Sequence, residues 1–554
     1  MQLNFNLSFS DLFSETGLAN LDAAFLKFLL QQDKEAQHQL QQARHNKEIS
    51  SAQIIALSYY LEEFLAKLFG NINENEKLRQ QHQKYANIFR CRRNFIARHV
   101  ARQYKTAPNI ADITIDISDY AELADNILFW LDNESKFSAE LEQAGRFCAY
   151  QLYNNNPHPL FTLPANLNYA CLLQDNSPKQ REGFDLTDNG HELDYALTQS
   201  KYCLFCHKRD KDSCRKGLTN QNNEIAVNPL GNNLNGCPLD QKISEMNLVK
   251  SQGYSIAALA IITIDNPMVA ATGHRICNDC SKACIFQKQE PVDIPQIETR
   301  ILKDVLTLPY GCEIYWLLTR WNPLKAKDFL PKSDSNNKIM VVGIGPAGFG
   351  LSHYLLQEGH NVVAIDGTKT EPLEFDYMQP IKDCDQIFHK LSQWPQYGFG
   401  GVAEYGITAR WQKNFLKLIR IMLQRHRNFR IYSGIRFGSN INIEQIWQLG
   451  FEHIALCMGA GKPNNLTIKN SMAKGIKIAA DFLMALQLTK AAHPDAFNKP
   501  IIRLPIAVIG AGLTAIDAAT EAQAYYLTQI EQFLSKYEDA RKKKRLEDIT
   551  RDWN

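Results

Sequence analysis

The sequence predicts an α/β fold for its second half behind an all-helical first half. Three observations carry this. Residues 338–366 run strand, glycine turn, helix, strand; apolar residues before about residue 200 recur at helical spacing; and seven cysteines crowd into residues 203–284, ahead of the α/β part. The chain has 554 residues, 45% hydrophobic and 22% charged, an ordinary globular balance that excludes wholesale disorder. Its length suits roughly three to four domains. Lys+Arg is 61 against Asp+Glu 59, a formal charge of +2 that argues against a protein coating nucleic acid. The longest apolar run, residues 256–264, falls well short of the about 20 residues a bilayer crossing needs. Residues 1–7 lack the basic and apolar parts of a secretory signal. The expected location is cytoplasmic, where cysteines serve as metal ligands or buried thiols rather than in disulfides.

In chain order, residues 1–199 read as a helical region of unknown role. Leu18, Leu21, Phe25, Phe28 and Leu29 share one side of a helical wheel; residues 54–68 repeat the pattern and residues 120–131 follow it less cleanly. The Gln-rich stretch 31–42 predicts a solvated helix, and the Asn-rich patches 71–75 and 154–156 predict turns. Arg90, Arg92, Arg93 and Arg98 read as an exposed basic helix face. No repeat of solenoid period is present. Residues 200–322 hold the cysteine cluster, and 323–337, rich in proline and charge, read as a linker. The tail 522–554 reads as a charged helix whose basic run 541–545 is a solvated face.

The clustered cysteines are Cys203-x2-Cys206-x7-Cys214, then Cys237 followed by proline, then Cys277-x2-Cys280-x3-Cys284. Closely spaced thiols let one loop make several bonds to a metal, and the thiolate is the ligand. Zinc takes four thiolates tetrahedrally; iron–sulfur clusters also take thiolates, drawn from distant segments. The spacing fits either. Cys91, Cys148, Cys171, Cys312, Cys384 and Cys457 are scattered and read as structural.

The strongest motif is the strand 338–342 running into Gly343-x-Gly345-Pro346-Ala347-Gly348 and a helix to about Glu358. Gly343 permits the tight turn, Gly345 lets backbone approach a pyrophosphate, and Gly348 allows close helix–strand packing. The helix N-terminus offers free N–H groups to phosphate. Asp366 closes the next strand 23 residues after Gly343, placed to accept from ribose hydroxyls. A second copy, Gly510-x-Gly512-x-Thr514-Ala515-x-Asp517, follows the apolar run 504–509 and lies 167 residues further on. Two such fingerprints point to two dinucleotides, a flavin and a nicotinamide. Between them, residues 451–458 read as a buried strand that runs into a turn at Gly459 and Ala460.

Taken together, these residues resemble the glutamate synthase small-subunit family of flavoproteins, and also the N-terminal half of dihydropyrimidine dehydrogenase. The resemblance covers roughly residues 200–520. It rests on Cys237-Pro-Leu, on the stretch 265–277 that introduces the second cysteine group, on residues 290–298, on the segment 400–407 with Gly401, Tyr405, Gly406 and Ile407, and on the turn 459–463. It implies a helical iron–sulfur domain (200–322), an FAD-binding Rossmann-like domain (338–503) and the start of an NAD(P)-binding domain with a helical tail (504–554). By that resemblance Cys203, Cys206, Cys214 and Cys284 hold one 4Fe-4S cluster. Cys237, Cys277 and Cys280 hold a second, with Glu298 as a non-thiol ligand.

The resemblance also implies an oxidoreductase that passes electrons from NAD(P)H through FAD to the clusters and on to a partner or substrate. Hydride transfer requires no acid–base group, so no catalytic residue is named. The flavin region has no Cys-x-x-Cys, which argues against a dithiol reductase of the thioredoxin reductase kind. Three departures stand out. Between Cys214 and Cys237 lie 22 residues, of which Asn220 to Asn235 read as an inserted loop; residues 1–199 have no counterpart in the resemblance; and only 37 residues follow Asp517 where several more βα units are expected. The expectation is therefore an incomplete NAD(P) domain whose remainder lies on a second polypeptide or has been truncated. The alternatives are a non-catalytic redox or assembly module and a zinc-stabilised nucleotide-binding regulator.

Overall fold

In the computed structural model, the described residues are 1–115, 119–163, 183–186, 189–390, 398–402, 412–460 and 466–553. The N-terminal helices are α1 (Glu15–Gln32), α2 (Lys34–Asn46), α3 (Ser51–Phe69) and α4 (Ile72–Cys91). The Ser14 hydroxyl caps α1 by accepting from Gly17 N, and an Asp33 carboxylate oxygen caps α2 by accepting from Glu35 N and Ala36 N. The Gln-rich stretch is thus split at Asp33 rather than forming one solvated helix, and α2 buries Ala36, Leu40 and Ala43. Residues 72–75 are the first turn of α4, not the predicted turn, because the Asn75 amide finds a buried partner in the Glu62 carboxylate at 2.9 Å.

A π-helical stretch, Arg92–Val100, continues α4. It corrects the exposed arginine face: Arg90, Arg93 and Arg98 stay exposed, but Arg92 turns inward and donates to the carbonyls of Pro159 and Thr162, both at 3.3 Å. With α5 (Tyr120–Asp132) and α6 (Ser138–Tyr153) this stretch builds a core of its own around Phe89, Phe95, Ile127 and Phe147. The next helix, α7 (Leu193–Tyr202), runs across the expected 199/200 boundary.

The cysteine-bearing part is built on α8 (Ile243–Ser251), α9 (Ser255–Asp265), α10 (Val269–Ile276), α11 (Ile294–Leu306) and α12 (Gly311–Arg320). The apolar run 256–264 forms most of α9, which is buried from Ser255 to Thr263 and packed by α3, α8, α11 and α12. A helix apolar on all sides belongs at the centre of a core. The segment 323–337 is only half a linker: Leu324 is buried, and Arg44 covers the Phe329 ring with its guanidinium carbon 3.7 Å from the centroid.

The α/β part is a four-stranded parallel sheet of order β3-β2-β1-β4, with β1 Lys338–Val342, β2 Asn361–Asp366, β3 Phe429–Ser433 and β4 His453–Leu456. In register, Lys338 pairs with Asn361, Ile339 with His453 and Val362 with Phe429. Helix α13 (Pro346–Gln357) joins β1 to β2, and α14 (Asn414–Gln424) packs on the other helices before β3. The predicted buried strand, β4, is an edge strand, and Leu456 is 58% exposed.

Two further expectations change. Cys312 on α12 and Cys384 are joined in a disulfide, not left as separate thiols. Tyr310 N donates to Lys382 O at 2.7 Å and Ile381 N to a Glu313 carboxylate oxygen at 2.8 Å, so the two segments already run side by side. The second fingerprint keeps its helix, α16 (Leu513–Arg541), which packs with α15 (Ala479–Leu488), but the run 505–509 before it joins no sheet among the described residues. A strand is stable only with ladder partners. The basic run 541–545 is solvent-exposed, as expected, but it ends α16 and leads into the next helix rather than lying on one helix face.

Candidate functional site

The first fingerprint sits at the carboxyl end of β1, between β2 and β4. Gly343 has φ of +98°, and a Cβ there would stand 2.4 Å from the carbonyl oxygen of Cys457. Only glycine adopts this turn without strain. A Cβ on Gly348 would stand 1.8 Å from Gly343 O, so the helix is pressed directly onto the turn. At Gly345 the space is open, with Gly400 O at 3.8 Å and the Gly401 Cα at 3.9 Å from an added Cβ. Pro346 and Ala347 form the exposed first turn of α13. This cradle, with backbone on three sides and a helix N-terminus at its base, fits a pyrophosphate.

Asp366 does more than the sequence suggests. One carboxylate oxygen accepts from Ile344 N at 2.8 Å and the other from Thr368 N at 2.7 Å, which ties the fingerprint turn to the end of β2. Each oxygen keeps a second lone pair for a ribose hydroxyl. Gly401 packs on Gly345, its would-be Cβ 2.9 Å from the Gly345 Cα. Gly459 and Ala460 follow Cys457 and Met458, which border Gly343. Tyr405, Gly406 and Ile407 lie outside the described residues, as does Cys171.

The cysteines assemble in two groups. Cys203 ends α7, Cys206 opens a 3-10 turn, Cys214 sits in a short helix and Cys284 follows another; all four line one cavity together with Asn247, Phe286, Val292 and Ile294. The Cys214 thiol donates to Asp212 at 3.1 Å. Burial pushes the Cys203 thiol up to about 11. In the second group, Cys237, Cys277 and Glu298 all add like charge that raises the Cys280 thiol, after burial itself. Glu298 on α11 accepts from the Gln241 amide at 2.9 Å, and burial lifts its carboxyl to about 7. Backbone joins the groups, since Cys237 N donates to Cys214 O at 2.9 Å. The insertion between them closes on itself through paired backbone bonds such as Leu218 N to Leu234 O at 2.9 Å, so it leaves its ends adjacent. Among the described residues no three His, Cys, Asp or Glu side chains close on a position fit for a single metal ion. The thiols of the first group instead stand around their cavity. Sequence reasoning missed Asp212, Gln241 and Asn247, which carry no spacing signal.

The second fingerprint has its turn. Gly510 has φ of +123°, and Gly512 opens α16 at φ −79°, ψ 173°, close to φ −76°, ψ −171° at Gly345. Thr514 is exposed, Ala515 half-buried and Asp517 buried.

A family described as RP005 N-terminal alpha-helical domain matches residues 3–70, and one described as Pyridine nucleotide-disulphide oxidoreductase matches residues 337–551. The glutamate synthase [NADPH] small chain of Bacillus subtilis is 25% identical over 307 residues, covering 54% of this chain and 52% of that one. Residues 337–551 are thus a domain of the pyridine nucleotide-disulphide oxidoreductase family, and the chain is similar to the glutamate synthase small-subunit-like FAD/NAD(P)-dependent oxidoreductases. Membership in that family implies FAD and NAD(P)H as cofactors. Two uncharacterized proteins of Rickettsia prowazekii also match. RP006 is 55% identical over 270 residues, covering 49% of this chain and 38% of RP006. RP005 is 33% identical over 293 residues, covering 46% of this chain and 99% of RP005, so the two share a family as well. The chain thus spans 38% of RP006 and about half of the Bacillus small chain. No described helix is long and apolar enough to cross a membrane.

Proposed function

We propose that this chain is an electron-transfer flavoprotein unit that takes electrons from NAD(P)H through FAD into two 4Fe-4S clusters and on to a partner or substrate. The observation that carries the reading is the meeting of Cys203, Cys206, Cys214 and Cys284, drawn from well-separated segments, around one cavity, with Cys237 tied to it by its backbone bond to Cys214. Cys203, Cys206, Cys214 and Cys284 would hold one cluster. Cys237, Cys277, Cys280 and Glu298 would hold the other. The turn Gly343 to Gly348, with Asp366 and Gly401, would hold the FAD pyrophosphate and ribose. Gly510, Gly512, Thr514 and Ala515 would face the nicotinamide nucleotide, with Asp517 buried beneath them. When bound, the flavin accepts hydride and releases single electrons to the clusters. The chain's own part is to fix these groups, and apolar walls at Phe286, Val292 and Ile294 exclude water from the first of them.

Anaerobic purification with quantitation of iron, sulfide, zinc and released flavin tests this. The expected result is about eight iron and eight sulfide per chain, with visible flavin absorbance bleached by NADH or NADPH. Cys203→Ser and Cys277→Ser should each lower the iron, while Cys91→Ala should leave it unchanged. Zinc without sulfide would overturn the clusters. Clusters without flavin reduction would leave the non-catalytic redox module.

A further inference from the structure

We infer that the side-chain amide of Asn247 donates a hydrogen bond to the sulfurs of the first cluster, the one assigned to Cys203, Cys206, Cys214 and Cys284, and so holds that cluster above the second in reduction potential. The inference rests on the cluster reading above and adds to it a direction for the electrons.

Asn247 lies in the middle of α8, a helix buried from Ile243 to Asn247 and again at Val249 and Lys250. The other buried polar side chains of α8 have partners. The Ser244 hydroxyl meets His207 Nδ1 at 2.7 Å and accepts from His207 N at 3.2 Å. Glu245 accepts from the Ser51 hydroxyl, and Lys250 Nζ reaches His82 Nε2 at 2.6 Å and the Ser255 hydroxyl at 3.2 Å. Asn247 is fully buried as well, yet neither its Nδ2 nor its Oδ1 has a hydrogen-bond partner among the described residues. A buried amide without a partner is costly, and folded proteins rarely keep one unless something occupies the space before it.

The surroundings of the amide name that occupant. Ser244 and Asn247 stand about one helical turn apart, and both line the cavity that Cys203, Cys206, Cys214 and Cys284 surround. Asn247 is a neighbour of the Cys203 thiol. Apart from Ser213, the remaining lining is aliphatic or aromatic. A trapped water needs about two to four polar partners, and Ser244 is already taken by His207, so sulfur is the main acceptor within reach. Cluster sulfides and thiolates only accept, which selects the NH2 end of an amide that can turn either end inward. A donor at the sulfurs stabilises the reduced, more negative cluster and raises its potential.

The second group is arranged the other way. Its amide, Gln241, is spent on Glu298 at 2.9 Å, and Glu298 brings negative charge beside Cys280 and Cys237. A carboxylate opposes reduction where an amide N–H favours it. Both differences set the first cluster above the second, so electrons that enter the pair settle on the first.

The test uses the full chain, purified without oxygen, and reads iron, sulfide and the two reduction potentials by electron paramagnetic resonance at stepped potentials. Asn247→Leu keeps the size of the side chain and removes the donor. Iron and sulfide should stay at the level of the unaltered chain. The higher potential should fall by about 59 mV or more, a tenfold loss in its one-electron reduction equilibrium, while the lower one stays in place. Asn247→Asp, which puts a carboxylate in the same space, should lower it further. A second measurement needs no variant and decides the matter where the variants fail to assemble. Asparagine carrying nitrogen-15 in its side chain is incorporated, and the chain is poised so that only the higher-potential cluster is reduced. Pulsed resonance should then show a nitrogen-15 coupling to that cluster. With iron and sulfide present, unmoved potentials in Asn247→Leu, a shift of both alike or of the lower one alone, or absence of the nitrogen-15 coupling would each overturn the inference and leave the cluster reading intact. Absence of iron and sulfide from the unaltered chain would overturn the cluster reading itself, and this inference with it.

Discussion

Gly348 and Gly350 lie two positions apart on α13 and meet opposite constraints. A Cβ at Gly348 would collide with Gly343 O at 1.8 Å, whereas nothing lies within 4 Å of one at Gly350. Gly348→Ala should therefore cost about 3 kcal/mol by overpacking and release flavin. Gly350→Ala should stabilise by about 0.5–1 kcal/mol through helix entropy. Urea midpoints of both variants check the contrast. His353 on the same helix gives a pH dependence. Burial, with like charge from Lys325 and Arg320, pushes its imidazole down to about 3 from the ordinary 6.5. Between those values the unfolded chain carries a proton that the folded chain does not. Stability from this group is thus full above about 6.5 and is lost as pH falls toward 3, with a slope of at most about 1.4 kcal/mol per pH unit. The urea midpoint of His353→Leu should fall less steeply over that window than that of the native chain; an equal slope would place the titration elsewhere.

Elements are held to one another by buried polar caps that leave little trace in sequence. Glu62 on α3 is fully buried; its carboxylate accepts from Ala257 N at 2.9 Å, capping α9 from outside, and also from Asn75 and Arg79. Glu62→Ala strands the amide of α9 and the Asn75 side chain together, so a loss of about 2–4 kcal/mol is expected in chemical denaturation. Exchange at the first turn of α9 should quicken first. Contrast this with β1, α13 and β2, whose signals are local: a glycine pattern, a helical period and a terminal acid, all within 29 residues. Those elements were legible to within a residue or so. The predicted strand before Gly510 was not, because strand pairing depends on neighbours that periodicity cannot reveal. Arg92 and Asn75 were misread for a related reason, since their buried partners lie in other segments. The meeting of Cys203, Cys206, Cys214 and Cys284 around one cavity has a local trace in the thiol spacing, whereas Cys312–Cys384 pairs residues 72 apart with nothing local to announce it.

At the scale of the whole molecule, one hydrophobic core runs from Leu3 through α9 and α12 to Phe429, so the N-terminal helices, the cysteine-bearing helices and the parallel sheet are not separable layers. Trp321 shows how tightly they are joined: its indole N–H donates to Asp22 on α1 at 2.8 Å, and its ring meets Phe25 and Phe64 edge-on. The helices around α15 and α16 instead share a small core of Phe184, Leu483, Leu486, Ile502 and Tyr525. Opening free energy follows buried apolar contact. Amides of α9, buried along its length, should therefore exchange only through global unfolding and at one common rate with those of α12 and β1. Amides of α16 should exchange by a cheaper, separate opening, and those of residues 504–512 fastest of all. Removal of residues 3–70 would strip the α3 face from α9 and should yield insoluble protein rather than a free-standing redox domain. If native-state exchange instead showed α9 and β1 opening at different free energies in denaturant, the cysteine-bearing helices and the parallel sheet would be autonomous domains that merely share a contact surface, and the single core would be the wrong account of how the molecule holds together.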